Sequence, residues 1–255
     1  MVYRYFALVI VASVPLWIAG YFIDAVPLLP IALPVSALMA FVPAVLALIF
    51  VWREGGASAA KHLLARSFDW RRTGNKLWYL PAVLFMPAAL AIAYAVQKLI
   101  GVELPELRID LLAIPVFFAM FFAAGLGEEI GWQGYAWDRM KGSALETALI
   151  IATVWMVWHI VPYFQTGHDT AWVVWHCMVT ILLRVVTVWL YVNGGRSVFI
   201  AALFHAMSNV AFFLYPVYGS HYDPAIAFFV LGIAVAAIVF LWGPQTLARF
   251  RFARS

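Results

Sequence analysis

Two adjacent glutamates, Glu128 and Glu129, stand directly after a long run of the sequence that carries no charge. Two histidines, His159 and His205, and an asparagine, Asn209, lie in other apolar runs further along the chain. A carboxylate can activate water as a general base, and imidazole and amide groups can hold that water or donate hydrogen bonds to a developing oxyanion. These residue types are therefore candidate machinery for a hydrolytic reaction.

The composition indicates that the solvent around this chain is largely lipid. Of its 255 residues, 66% are hydrophobic and only 11% are charged, and the mean hydropathy is +0.94. So little polar surface cannot coat a soluble protein of this size. The single cysteine, Cys177, excludes a disulfide within the chain.

The apolar runs predict eight membrane-spanning helices, each close to the roughly 20 residues that a bilayer requires. The predicted spans are 3–22, 28–51, 77–100, 111–137, 147–163, 171–192, 198–217 and 225–242. We therefore expect an all-α integral membrane protein that forms one transmembrane domain over 1–255. Its catalytic core helices are expected within 111–215, around a polar cavity open toward the cytoplasmic half.

The basic residues are distributed unevenly between the two ends of these spans. Lys98 and Arg108 fall on one side, and the following thirteen fall on the other: Arg4, Arg53, Lys61, Arg66, Arg71, Arg72, Lys76, Arg139, Lys141, Arg196, Arg249, Arg251 and Arg254. The positive-inside rule then predicts that both termini lie in the cytoplasm. The same rule explains the net charge of +4, so no nucleic-acid partner is predicted.

The segment 53–76 is predicted to be a cytoplasmic, amphipathic and basic stretch. It opens with Gly55 and Gly56, which break the preceding span, and then places Ala60, Leu64 and Phe68 every four residues. This spacing predicts a short helix at the membrane interface. Anchoring to anionic lipid head groups is its favoured role.

Polar side chains at membrane depth are costly and are therefore functional suspects. The strongly polar groups within the predicted spans are Glu128, Glu129, Gln133, His159, His176, Arg184, His205 and Asn209. At about 1.5 Å per residue, Glu128, His205 and Arg184 lie roughly 12 to 13 Å from the cytoplasmic ends of their helices. His159 and Asn209 lie roughly 18 Å deep by the same measure. His176 falls outside this layer, near the other end of its span.

Local spacings group these residues on helix faces. His205 and Asn209 are four residues apart, as are Trp155 and His159, so each pair shares one face. Consecutive residues such as Glu128 and Glu129 point in different directions, so the two glutamates are expected to have different tasks. Near them a stripe of small residues predicts close approach of a neighbouring backbone. The stripe consists of Gly127, Gly131 and Gly134.

Taken together, these motifs resemble those of the CPBP (Abi) intramembrane endopeptidases, which include type II CAAX prenyl proteases and bacteriocin-processing proteins. The family pattern is Glu-Glu-x-x-x-Arg, then aromatic-x-x-x-His, then His-x-x-x-Asn, on successive core helices. The matching residues are Glu128, Glu129, Trp155, His159, His205 and Asn209, with Gln133 where arginine is usual. The resemblance extends over roughly residues 60–215.

The resemblance implies an intramembrane endopeptidase that acts on a membrane-associated protein or peptide. Glu128 would be the general base, and His159 would help to position or activate the water. His205 and Asn209 would stabilise the tetrahedral oxyanion, and Glu129 completes the candidate catalytic set. Gln133, Trp155 and Arg184 are expected to support it.

The sequence leaves open whether the site binds a metal ion. His159, His205 and Glu128 are the residue types that bind zinc. No His-Glu-x-x-His motif occurs, however, and the same residues also serve hydrolysis by a glutamate without metal. Metal-independent chemistry is slightly favoured.

Three other functions remain as alternatives. Histidines on neighbouring helices can ligate haem in an electron-transfer protein, although haem leaves no role for the paired glutamates or for Asn209. A transporter would also gather polar groups near mid-depth, but the chain shows no internal symmetry between its halves. A catalytically silent immunity or scaffold protein of the same fold would have a nearly identical sequence.

The glutamine at position 133 leaves the charge of Glu129 without its usual partner. A second uncompensated carboxylate at this depth would be unstable. Arg184 is the one cation deep inside a predicted span, and its depth matches that of Glu129. We therefore predict that Arg184 pairs with Glu129, directly or through Gln133.

Overall fold

The computed structural model describes residues 1–23, 33–248 and 250, and over these residues it contains eight α-helices. They are α1 (Val2–Phe22), α2 (Val42–Ala65), α3 (Tyr79–Leu99), α4 (Ala113–Gly131), α5 (Ala144–Gln165), α6 (Thr170–Asn193), α7 (Val198–Leu214) and α8 (Pro224–Trp242). The expected all-α membrane bundle is confirmed. Residues 24–32, which include the start of the predicted span 28–51, lie outside the described part, as do Arg249, Arg251 and Arg254.

Among the described residues, seven segments are long and apolar enough to cross a bilayer, and α7 is shorter, with 17 residues. The predicted span 198–217 is therefore too long at its second end. Tyr215 has an extended backbone because it precedes Pro216, and proline disfavours helical geometry in the residue before it. The predicted span 28–51 begins outside the described residues, and its α-helical part starts at Val42 after a 3₁₀ segment, Val35–Phe41.

Four helices begin at a polar side chain that caps their free backbone amides. Such caps satisfy N–H groups that have no partner within the helix. The capping residues are Ser143 for α5, Asp169 for α6, Ser197 for α7 and Asp223 for α8. Each cap defines the helix start to the residue.

The predicted break at the two glycines is present within α2. Gly55 leaves the helical conformation and Gly56 has a φ of 68°, a value that favours glycine. The arm that follows is a short helix with Leu63 buried and with Leu64 and Phe68 exposed, and its role at the membrane interface stays a prediction. Leu63 is buried because Gly134 leaves space for its methyl group.

The glycine stripe on α4 admits the close contacts that were predicted for it. A Cβ at Gly127 would lie 2.6 Å from the carbonyl oxygen of Ala40. A Cβ at Gly131 would collide with the hydroxyl of Tyr5 and with Pro43. The first helix thus packs directly behind the glutamates, where the Tyr5 hydroxyl donates a hydrogen bond to the Pro43 carbonyl at 3.0 Å.

The end of α4 is not a regular helix terminus. The chain continues as a π turn, Trp132–Ala136, and then as a 3₁₀ turn, Trp137–Arg139. Turns of the π type often occur at functional sites, since they shift the helix face by a fraction of a turn. On the opposite face of α4, Gly125 lies against the carbonyl of Ala202, so α7 approaches α4 closely.

Candidate active site

Glu129 and Arg184 form a direct ion pair between α4 and α6. Nη1 of Arg184 donates to Oε2 of Glu129 at 2.6 Å, and neither side chain is exposed. The pairing that the sequence predicted is therefore confirmed, in its direct form. In an apolar bundle each charge removes the cost of burying the other.

Gln133 takes no part in this ion pair. Its side chain is fully buried, and neither its oxygen nor its nitrogen has a hydrogen-bond partner among the described residues. The cation that the family pattern puts at this position is supplied from α6 instead. Arg184 also lies over the ring of Trp155, with its guanidinium carbon 4.2 Å from the ring centroid, which adds a cation–π attraction.

The second oxygen of Glu129 binds the imidazole of His205 on α7. Nδ1 of His205 lies 2.9 Å from Oε1 of Glu129. Because an ionised carboxylate can only accept a hydrogen bond, this contact places a proton on Nδ1 and directs Nε2 away from Glu129. Both oxygens of Glu129 are thus engaged in holding other residues.

Glu128 has a different environment from its neighbour. Its Oε2 accepts hydrogen bonds from the indole nitrogens of Trp155, at 2.5 Å, and Trp132, at 3.3 Å. Its Oε1 makes no hydrogen bond with any described residue, and Nε2 of His205 lies 3.8 Å from it. The side chain keeps 6% exposure, whereas that of Glu129 has none. Glu128 is therefore the glutamate with an oxygen available to a ligand.

Trp155 contacts almost every polar member of the site. Besides its bond to Glu128 and its contact with Arg184, its ring packs edge-on against His205, with centroids 5.5 Å apart. It packs in the same way against His159 at 5.2 Å. This one indole therefore orients the carboxylate and both histidines.

His159 is held by its own helix. Its Nδ1 lies 2.8 Å from the carbonyl oxygen of Trp155, which can only accept, so Nδ1 carries the proton and Nε2 is left as an acceptor. The ring packs edge-on against Trp158 and stacks on Tyr163. It is partly exposed, so its free nitrogen can meet a ligand.

Asn209 lies one helical turn beyond His205 on α7, as its spacing predicted. It is partly exposed, and within the described part of the chain its side chain makes no hydrogen bond. Its amide can therefore donate to a bound group. The structure places Glu128, Glu129, Trp155, Arg184 and His205 in direct contact, with His159 joined through Trp155 and Asn209 at the edge.

Burial around the site is most complete at the helix ends that the basic loops predict to be cytoplasmic. Residues 127–136, in the base helix (α4 and the turns that follow it, residues 113–139), and residues 200–206 of α7 are all buried. The least buried members of the site, His159 and Asn209, lie on the other side, toward the second ends of α5 and α7. A cavity open toward the cytoplasmic half stays a prediction, and this packing favours an approach from the opposite side or from between helices.

His176 lies apart from the glutamates, as its position in the sequence predicted. Its ring stacks on Trp172, and its Nδ1 is 3.2 Å from the hydroxyl of Tyr222. His168, in the loop before α6, also stacks on the ring of Trp172. Burial lowers the pKa of its imidazole. These rings pack the second end of the bundle.

The described residues contain no group of three His, Cys, Asp or Glu side chains arranged to hold a metal ion. Of the zinc candidates, His205 uses Nδ1 for Glu129, and His159 uses Nδ1 for a backbone carbonyl. Only Glu128 Oε1 and the two Nε2 atoms remain for a ligand. In this arrangement these three atoms do not form a metal site.

Trp132 is the site residue that the sequence reasoning missed. It follows Glu128 by four residues, so the two share a helix face, and its indole nitrogen donates to the carboxylate. A tryptophan in an apolar helix gives no signal of its own. The spacing to Glu128 was the one available indication.

Comparison with known families supports the resemblance drawn from the motifs. Residues 110–211 match the family model of type II CAAX prenyl endopeptidases, Rce1-like. The matched region contains both glutamates, both site histidines, Arg184 and Asn209. It leaves out α1, α2, α3 and α8.

A curated relative gives the same result over a longer region. The chain is 22% identical over 185 residues to the CAAX prenyl protease 2 of Methanococcus maripaludis, which covers 66% of this chain and 67% of the relative. The recognition of CPBP-type motifs in the sequence is confirmed by these two similarities.

The ion pair predicts strong coupling between Glu129 and Arg184. Arg184→Met alone should lower the free energy of unfolding by about 3–5 kcal/mol, because it leaves a buried carboxylate without a partner. With Glu129→Gln already present, the same change should cost much less. The measurement is a double-mutant cycle by denaturation of the purified protein in detergent micelles.

Arg139→Met is the matched control for this cycle. Arg139 also binds a glutamate, Glu54, but both side chains are partly exposed, so its loss should cost only about 0–1 kcal/mol. Strictly additive effects of Arg184→Met and Glu129→Gln would contradict the pairing.

Proposed function

Since this multi-pass membrane protein is an Rce1-like peptidase of the CPBP type, we propose that it hydrolyses a peptide bond with water activated by Glu128. The substrate is a membrane-associated protein or peptide. One observation carries the proposal. Of the two adjacent glutamates, Glu129 has both oxygens bound to protein groups, whereas Glu128 keeps Oε1 for a ligand.

The proposed reaction begins at Oε1 of Glu128. This oxygen takes one proton from water while the water oxygen attacks the scissile carbonyl; the second hydrogen stays on that oxygen and donates a hydrogen bond to Nε2 of His159. Nε2 of His205, in its protonated form, and the amide of Asn209 donate to the oxyanion that develops. Glu128 then returns its proton to the leaving amine, as the C–N bond breaks. Glu129 and Arg184 stay charged and act only by holding His205 and Trp155.

The depth of the site narrows the class of substrate. The scissile bond has to reach carboxylates that lie within the bundle, so the substrate is expected to reside in or on the bilayer. The relative from Methanococcus maripaludis is named a CAAX prenyl protease, which makes the end of a prenylated protein one candidate. Precursor peptides of bacteriocins or signals are the other candidates that the family resemblance implies.

The orientation of the chain belongs to the same proposal. The distribution of basic loops supports a cytoplasmic position for both termini, and the motif resemblance supports a bacterial inner membrane. Lys61 and Arg72 are exposed on the segment after the break in α2, where anionic head groups can bind them. The proposed partners are thus the lipid bilayer and the peptide substrate.

Glu128→Gln should abolish cleavage while the protein stays folded. A glutamine oxygen can still accept from Trp155 and Trp132, but it cannot take up the proton of water. The measurement is comparative proteomics of membranes that contain either the native protein or the variant, followed by assay of the peptide whose cleavage disappears. Glu106→Gln, an exposed carboxylate between α3 and α4, is the control and should cleave normally. Retained cleavage by purified Glu128→Gln would refute the assignment of the base.

Asn209→Ala should lower kcat by about 10²-fold with little change in KM, because the lost donor acts on the oxyanion that forms in the transition state. Ser208→Ala is the matched control on the same helix, since its hydroxyl is used by the Phe204 carbonyl. It should leave kcat unchanged. A change in KM alone for Asn209→Ala would mean that the amide binds substrate instead.

Metal-independent hydrolysis is proposed because the free ligand atoms of Glu128, His159 and His205 do not form a metal site. Purified protein should then contain much less than one zinc ion per chain by mass spectrometry, and chelators should not inhibit it. Zinc at one per chain, lost together with activity in His159→Ala, would reverse this proposal.

A further inference from the structure

A four-residue turn, Arg66 to Asp69, touches the ends of both helices that carry the reacting groups. It follows the short arm of α2 and lies at the cytoplasmic end of the bundle. We call it the Arg66–Asp69 turn. The reaction described above assigns it no task, and it lies outside the region that matches the Rce1-like family model.

Arg66 binds the irregular end of the base helix. Its Nη1 donates to the carbonyl oxygen of Gly134 at 2.9 Å and to Asp138 at 2.8 Å. Its Nη2 donates to the hydroxyl of Tyr191 at 2.6 Å, and that hydroxyl donates to the carbonyl of Gln133 at 3.2 Å. The π turn after α4 leaves these two carbonyls near the helix end, and Arg66 satisfies one directly and one through Tyr191.

Asp69 binds the start of α7. Its Oδ1 accepts from the hydroxyl of Ser197 at 2.6 Å and from the backbone amide of Phe199 at 3.1 Å. Its Oδ2 faces the amide of Val198 at 3.3 Å. These amides belong to the first turn of α7, which has no carbonyl partners of its own. Asp69 is thus a second cap on this helix, supplied from a distant part of the chain.

The two charges match the two helix ends that they contact. A cation is favoured at the carboxyl end of a helix and an anion at the amino end. Arg66 meets the carboxyl end of the base helix, and Asp69 meets the amino end of α7. If the two charges were exchanged, each would be unfavourable with the dipole of the helix that it contacts. The order of Arg66 and Asp69 in the turn therefore matches the two helix ends.

The relative height of these two helices decides the geometry of the site. Glu128 and Glu129 lie on one of them and His205 on the other, in contacts of 3.8 and 2.9 Å. A slip by one residue along either axis is about 1.5 Å, which would break the hydrogen bond between Glu129 and His205. Displacements of this size lower turnover strongly, because reacting groups lose their alignment.

We propose that the Arg66–Asp69 turn fixes the axial register of α4 against α7, so that Arg66 and Asp69 are positioning residues for the reaction. They act through the helix ends and not on the substrate. The inference rests on the proposed function for its effect on turnover, but the contacts to both helix ends are independent of that function.

The test compares Arg66→Met and Asp69→Ala with the native chain in detergent micelles. The substrate is the peptide whose cleavage is lost in Glu128→Gln membranes, made with a fluorophore and a quencher. At a temperature where circular dichroism shows each variant folded, kcat should fall by about tenfold or more, with KM within about twofold. Asp69→Asn keeps one acceptor oxygen and should recover part of the lost kcat, and it also serves if Asp69→Ala does not fold.

Arg71→Met is the matched control for charge. It removes a cation from the same segment, but Arg71 packs on the ring of Trp70 and touches neither helix end. Its kcat should equal that of the native chain. An equal loss in Arg71→Met would mean that the segment acts through membrane charge, and normal kcat in folded Arg66→Met and Asp69→Ala would overturn the inference.

Hydrogen exchange tests the same inference without activity. Asp69→Ala should speed exchange of the amides of residues 198–205, and Arg66→Met that of residues 132–139, as measured by mass spectrometry. Unchanged exchange in both would overturn the register role even if activity fell. If the native chain cleaves no peptide but exchange rises as expected, the proposed function fails while the structural role of the turn stands.

Discussion

The buried charge of Glu129 is the constraint on which the rest of the site depends. A carboxylate without exposure, inside a bundle of apolar helices, is stable only beside an opposite charge. Arg184 provides it and thereby joins α4 to α6 at one height. The ring of Trp155, on α5, packs against the same guanidinium in a cation–π contact. One ion pair therefore aligns three helices.

From this pair, the two glutamates acquire separate tasks. The second oxygen of Glu129 accepts a hydrogen bond from His205, which fixes the orientation of the imidazole. Glu128 receives two indole donors on one oxygen and keeps the other for a ligand. Two adjacent residues of the same type thus differ in chemistry because of their surroundings alone, as is common for paired carboxylates in hydrolases.

The helices around the site are shaped to let its partners approach. Because Gly127 has no side chain, the 3₁₀ segment before α2 can approach the base helix closely. Gly131 allows the same approach to Tyr5 of α1 and Pro43 of α2. Tyr5 and Trp132 then fill the space behind the glutamates with rings 6.1 Å apart. Close packing of this kind limits side-chain movement, so the donors to Glu128 are already in place before a substrate binds.

The sequence by itself determined the membrane bundle, because apolar runs and their length are sufficient to identify spanning helices. It also predicted the layer of Glu128, His159, His205 and Asn209 from helix rise, and the partner of Glu129, since Arg184 was the one cation at that depth. The end of α7 was placed three residues too far, because hydropathy continues past Leu214 although Pro216 does not allow the helix to do so.

Only the tertiary structure decided which glutamate keeps a free oxygen, which atoms of His205 and His159 face a ligand, and that Trp132 belongs to the site. It alone connected Arg66 and Asp69 with helix ends that lie 68 to 130 residues away along the chain. These contacts depend on the rotation of each helix about its axis and on its height relative to its neighbours. Hydropathy and spacing within one helix carry no information about either, because both are set by the packing of side chains between helices.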